Sequence, residues 1–201
     1  MLTPRTYLSF SSMTLFERSP EQWADQYLYG KKQRISRNMA LGSALADSLE
    51  SGEATGDPVL DLMASKLTKY ELRDVAIMAE LPNKKKPIKI LIKPDTCRQD
   101  MSAIVEYKSS VRAWTQKMCD ESAQKGQTCF YAMGIWLNKK KIPDIKFQIV
   151  ETRYEEYGRV VPTGEVFTLN TKCSVSDILK MTARARRAWA EIEKLCEKEL
   201  L

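Results

Sequence analysis

The sequence predicts an α/β chain in which helices and strands alternate, and three observations predict it. Two apolar runs, Ile88–Ile92 and Ala103–Val105, flank a turn-rich stretch and read as a strand hairpin. Val59, Leu62, Met63, Leu67 and Tyr70 recur near the helical period. Lys146–Tyr154 alternates at the strand period, and Ser174 with Asp177 then resembles a capping box that opens a closing helix.

Taken in order, Ser11 and Ser12 can cap a short helix, which Pro20 interrupts because the residue before a proline is pushed out of the helical region. Glu21–Tyr29 follows as a helix with Trp23, Tyr27 and Leu28 on its apolar side, then a basic loop from Gly30 to Arg34. Met39–Glu50 reads as a helix with Gly52 just beyond its end. Asp57-Pro58 opens the next one, since proline is preorganised for the first helical position, and this helix is expected to run to about Glu80. Leu81–Pro87 is a loop. After the hairpin, Trp114–Leu137 reads as a long helix with a break near Gly126. Lys139–Lys141 and Pro143 make a basic turn. Glu165–Leu169 is placed antiparallel to Lys146–Tyr154, and the last helix ends near Leu200. The expectation is one domain: a helical part over 1–81, a core over 82–170 and a C-terminal helix over 174–200.

The chemistry gathers between Lys93 and Lys108. The strand period puts Glu106 and Lys108 on one face and Tyr107 on the other. Hairpin pairing would bring Asp95 near Glu106. Two carboxylates and an ammonium then converge at the end of a small sheet. Hard oxygen ligands suit Mg²⁺ or Mn²⁺, and the lysine can orient water or offset phosphate charge. An isolated Glu-x-Lys is more often a solvated strand. Pro94-Asp95 upstream and the short spacing favour the site.

Pro94-Asp95 followed by Glu106-Tyr107-Lys108 resembles the metal-binding core of the PD-(D/E)XK nuclease superfamily. Gln127-Thr128-Cys129-Phe130-Tyr131 resembles the Gln-x-x-x-Tyr motif of its RecB-like branch, which includes CRISPR-associated and phage-lambda-type exonucleases. Ser11 to Phe16 and Ser19-Pro20 to Trp23 resemble the branch's opening helix-and-Pro segment, and Gly42 to Glu50 resembles its Gly-x-x-x-His helix, so the matches span about residues 9 to 131. The resemblance implies a restriction-endonuclease-like core, a small mixed β-sheet flanked by helices. It implies a Mg²⁺- or Mn²⁺-dependent DNA nuclease, an exonuclease acting in recombination, repair or phage DNA processing. The alternative is a catalytically inert nucleic-acid-binding or regulatory protein on the same fold.

By the same resemblance, Asp95 and Glu106 bind metal with the Tyr107 carbonyl assisting, Lys108 acts on the water, and Gln127 with Tyr131 orders the site. The branch's helical histidine is matched here by Ala46, which cannot coordinate. Glu50, one turn on, or Asp47 is the candidate replacement. Ser43, Arg112, Lys117 and the run Lys84, Lys85 and Lys86 are candidate phosphate contacts; a solvated face accounts for Arg112 and Lys117 equally well, such lysine runs are more often solvated loops, and Ser43 suits small-residue packing better. Trp23, Trp136 and Trp189 read as core rather than stacking platforms.

The 201 residues carry a net charge of +6, which favours a polyanionic partner without identifying it; the resemblance implies a single- or double-stranded DNA end. A homo-oligomer or a recombination partner protein is also compatible. Histidine is absent, which excludes histidine bases and histidine metal ligands. The five cysteines lack any Cys-x-x-Cys pair, so no zinc knuckle or disulfide framework is expected; some members of the resembled branch hold an iron–sulfur cluster on four cysteines, but here none precedes Cys97 and only two lie near the C-terminus, so no cluster is expected. No signal-peptide pattern or membrane span is legible, so a cytoplasmic protein is expected, in the host cytoplasm if the source is a phage.

Overall fold

The computed structural model describes residues 6–31, 53–156 and 160–199. The expected helix over Met39–Glu50, with Ser43, Asp47 and Glu50, lies outside the described residues. Helix α1 (Phe10–Arg18) is capped by Ser9, whose side chain accepts from the Ser12 N–H, so the cap lies upstream of the expected Ser11 and Ser12. Ser12 is instead buried and accepts the Trp23 Nε1–H at 2.8 Å. Helix α2 (Pro20–Tyr27) has Ser19 as cap and Pro20 in its first turn, so the proline starts one helix as it ends another.

Helix α3 (Pro58–Lys66) starts as expected, with Asp57 accepting from Val59 and Leu60. It ends far short of Glu80. Beyond it run β1 (Leu72–Arg73) and β2 (Ile77–Leu81). Ile77, Ala79 and Leu81 are buried while Met78 and Glu80 are exposed, the alternation of a half-buried strand. Its partner is β3 (Ile88–Ile92), in register Ile77↔Ile92 to Leu81↔Ile88. The Ile88–Ile92 run therefore pairs backward in a separate two-stranded sheet, not forward with Ala103–Val105.

The main sheet has five strands in the order β1-β4-β5-β6-β7, with β4 at Thr96–Cys97, β5 at Ala103–Ser110, β6 at Asp144–Tyr154 and β7 at Val160–Lys172. Strands β5 and β6 are parallel, and the other pairs antiparallel. Two helices cross between β5 and β6: α4 (Gln116–Lys125) and α5 (Gln127–Lys139), which meet at Gly126 where the sequence placed a break. The last helix, α6 (Val175–Glu199), opens on the expected capping box: Asp177 Oδ2 accepts the Ser174 N–H at 2.9 Å and Ser174 Oγ accepts the Asp177 N–H at 3.1 Å. The mixed sheet flanked by helices is the expected α/β architecture.

Helix α5 is the central packing element. Thr128 to Ile135 are all buried, because β2 and β3 cover one side and α4 and α6 others. A Cβ at Gly134 would lie 2.7 Å from Ile92 Cγ2, so glycine permits the close approach of α5 to β3. Trp23 and Trp189 belong to this core, with Trp136 packed against it. All five cysteines are buried. Among the described residues no helix is long and apolar enough to cross a membrane.

Candidate active site

The site forms where a ladder stops. The antiparallel pairing of β4 with β5 covers Thr96↔Val105 and Cys97↔Ile104. One step further the register sets Asp95 opposite Glu106, and two steps further Pro94 opposite Tyr107. The Tyr107 N–H is not paired by a ladder carbonyl there. The Asp95 carboxylate takes it, Oδ2 accepting at 2.6 Å. The expected meeting of Asp95 and Glu106 is present, although a two-residue strand produces it and not the long hairpin.

Glu106 is a buried carboxylate, 2% exposed. Its Oε1 accepts from Lys108 Nζ at 2.5 Å, and its Oε2 has no hydrogen-bond partner among the described residues. Lys108 Nζ also donates to Gln127 Oε1 at 3.2 Å, and Gln127 Nε2 donates to the Tyr131 hydroxyl at 2.5 Å. Gln127 opens α5 and Tyr131 stands one turn on, so both reach the same side of the helix. The structure thus brings together Asp95, Glu106, Lys108, Gln127 and Tyr131.

The electrostatics follow from burial. Removal from water pushes the Glu106 carboxyl up to about 7, the Asp95 charge adds to the rise, and Lys108 opposes it. Burial also raises Asp95, against the lowering effect of the Tyr107 N–H and Lys108. Tyr131 is raised by burial and then by the Glu106 charge. Two carboxylates close together in low dielectric are costly unless one is protonated or a cation offsets the charge.

A hard divalent cation fits these residues. The unpartnered Glu106 Oε2 is a buried oxygen that a metal–oxygen bond would satisfy, and Asp95 adds a second oxygen donor. Among the described residues no third Asp, Glu, His or Cys joins the pair. The candidates for that position, Glu50 and Asp47, fall outside the described residues.

The remaining sequence candidates are placed elsewhere. The Tyr107 side chain points to the opposite face of the sheet, where its hydroxyl donates to the Thr68 carbonyl at 2.6 Å. Arg112 and Lys117 are exposed, one just after β5 and one on α4. Lys84, Lys85 and Lys86 are exposed in the β2–β3 turn. Sequence reasoning missed Thr96 and Gln148. Both are buried polar residues, at 0% and 4% exposure, and both bond the backbone of the Thr68–Leu72 segment. The only local signal was a threonine directly after Asp95; the long-range partners carry no sequence signature.

No protein-family model and no curated protein matches the sequence. Solved structures do match. A phage-related exonuclease from Haemophilus somnus superposes with a TM-score of 0.53 at 11% identity, over 94% of this chain and 82% of that one. This chain shares the fold of that exonuclease. A provisionally assigned exonuclease of Eubacterium rectale shares this exonuclease fold, with a TM-score of 0.53 at 13% identity over 93% and 82% of the two chains. So does LHK-Exo of Laribacter hongkongensis in complex with dAMP, with a TM-score of 0.50 at 14% identity over 97% and 94%. The exonuclease fold agrees with the PD-(D/E)XK resemblance carried by Asp95, Glu106 and Lys108.

Proposed function

We propose that this protein is a metal-dependent deoxyribonuclease that hydrolyses phosphodiester bonds, working as an exonuclease on DNA ends. The observation that carries the reading is the buried Glu106 carboxylate, with one oxygen on Lys108 and the other unpartnered, beside Asp95 at the sheet end. The exonuclease fold and the net charge of +6 support the same reading.

Asp95 and Glu106 would hold Mg²⁺ or Mn²⁺, joined by the Tyr107 carbonyl and by Glu50 or Asp47. The bound ion supplies a more acidic water and neutralises charge on the phosphoryl oxygens. The other roles fall to side chains. An ammonium has three N–H donors. Lys108 gives one to Glu106 and one to Gln127, which aims the third at the attacking water or a phosphate oxygen. Gln127 holds that orientation and is itself held by Tyr131. In the reaction the water oxygen bonds phosphorus, the bond to the sugar oxygen breaks, and that oxygen leaves with a proton. Arg112, Lys117, Ser43 and the Lys84–Lys86 turn are the candidate contacts to the rest of the backbone.

The opposing reading is a nucleic-acid-binding protein that does not cut. Ala46 at the expected histidine position favours it. Lys108→Ala separates the two. For a nuclease, cleavage in Mg²⁺ falls by about 10²–10⁴-fold while DNA affinity holds within a few fold. Equal DNA handling by wild type and Lys108→Ala overturns the nuclease assignment.

A further inference from the structure

The linker between α3 and β2 is tied down by side chains to a degree that its sequence does not require. Gln148 Oε1 accepts the Thr68 N–H at 2.6 Å, and the Tyr107 hydroxyl donates to the Thr68 carbonyl at 2.6 Å. Thr96 Oγ1 accepts the Tyr70 N–H at 2.8 Å and donates to the Leu72 carbonyl at 3.1 Å. The Asp74 N–H then donates to the Asp95 carbonyl at 3.2 Å. Gln148 is braced from behind, its Nε2 donating to Thr168 Oγ1 at 3.3 Å.

Two facts connect this web to the site. First, Asp95 belongs to neither β3 nor β4, and β1 and β4 have two residues each, too short to hold a neighbour by ladder bonds alone. Second, Asp95 is gripped at both ends of the web. Its carbonyl accepts from Asp74, at the end of the tied linker, and its carboxylate accepts from the N–H of Tyr107, the residue whose hydroxyl ties the linker's start. Thr96, next to Asp95, uses its single proton on Leu72 and an oxygen lone pair on Tyr70, so its hydroxyl is satisfied on both counts.

We propose that Thr96 and the Tyr107 phenol are positioning residues: by fastening the Thr68–Asp74 linker on the face of the sheet opposite Glu106, they hold the Asp95 carboxylate at the distance from Glu106 that a shared cation needs. Neither side chain touches the reacting atoms. A valine at 96 keeps the shape and loses both hydrogen bonds, which leaves the Tyr70 N–H and Leu72 carbonyl unpaired. The linker then relaxes, Asp74 releases the Asp95 carbonyl, and Asp95 swings as a loop residue. The metal half of this inference rests on the nuclease reading; the placement of Asp95 does not.

The test uses the full chain and two readouts. Hydrogen exchange of the Tyr107 amide, relative to core amides such as Phe147, reports the Asp95 grip without any metal. Calorimetric titration with Mn²⁺ reports the site. Thr96→Val is expected to speed Tyr107 exchange and to weaken Mn²⁺ about 10-fold or more, the usual effect of losing a residue that orients a ligand. Thr96→Ser keeps the hydroxyl and is expected to restore both. Ile192→Ala, a core truncation in α6, lowers the melting temperature without moving either readout. Tyr107→Phe removes the phenol but keeps the amide, and it serves as the second variant should Thr96→Val fail to fold. Unchanged Tyr107 exchange and Mn²⁺ affinity in Thr96→Val or Tyr107→Phe overturn the proposal. Faster Tyr107 exchange in a protein whose wild type takes no Mn²⁺ upholds the positioning role and removes the metal reading instead.

Discussion

Burying Glu106 makes the stability of the metal-free protein fall as pH rises. Its carboxyl goes from the ordinary 4.5 to about 7 in the fold, chiefly through burial. At pH 5 to 7 the unfolded chain therefore releases a proton that the folded chain retains. Each pH unit across that window costs about 1.4 kcal/mol, so roughly 3 kcal/mol of stability is lost by pH 8. For a chain of this length that is roughly 6–12 °C in melting temperature. Asp95, also raised by burial, acts in the same direction. The sequence contains no histidine to titrate in the same window. The assay is thermal or urea unfolding in EDTA from pH 5 to 8, for wild type and Glu106→Gln. The wild type is expected to lose stability toward pH 8, and the variant to lose most of that slope. Added Mn²⁺ is expected to stabilise more at pH 8 than at pH 5, because it competes with the proton. A wild-type curve that is flat or rises toward pH 8, or a slope that persists in Glu106→Gln, refutes the reasoning.

Further outcomes follow from particular contacts. Tyr131→Phe removes the hydroxyl that holds Gln127 and is expected to lower DNA cleavage about 10-fold at near-native melting temperature, measured as initial rates. Gly134→Ala drives a Cβ against Ile92 and is expected to cost about 1–3 kcal/mol in urea unfolding, with Ile92→Ala restoring part of it. Arg184→Met loses the fork to Glu17 and the bond to the Lys125 carbonyl, a partly exposed contact worth about 1 kcal/mol or less by the same measurement.

The parts of the site set by local periodicity were legible in the sequence. Glu106 and Lys108 share a face because a strand has a period of two, and Gln127 and Tyr131 share one because a helix turns in about four residues. Capping chemistry likewise revealed the starts of α3 and α6, at Asp57-Pro58 and Ser174 with Asp177. Choices among competing partners were not legible. Ile88–Ile92 could pair forward or backward, and Ile77–Leu81 won because it buries three apolar side chains against α5. The apolar spacing from Val59 to Tyr70 suggested a helix reaching Glu80. The chain instead leaves the helix after Lys66, and buried Thr96 and Gln148 with half-buried Tyr107 satisfy the freed backbone of the following linker. Those three residues lie between 28 and 80 positions away from Thr68, a separation at which no local pattern forms.

Asp95, Glu106 and Lys108 are proposed to cut DNA with a divalent cation. The most direct measurement is a time course on end-labelled single- and double-stranded DNA in Mg²⁺, in Mn²⁺ and in EDTA, with wild type beside Lys108→Ala. Nucleotides are expected to be lost from the ends in metal, none in EDTA, and none above background with Lys108→Ala. Intact DNA in both metals, with binding retained, contradicts the proposal and leaves a nucleic-acid-binding protein on an exonuclease fold.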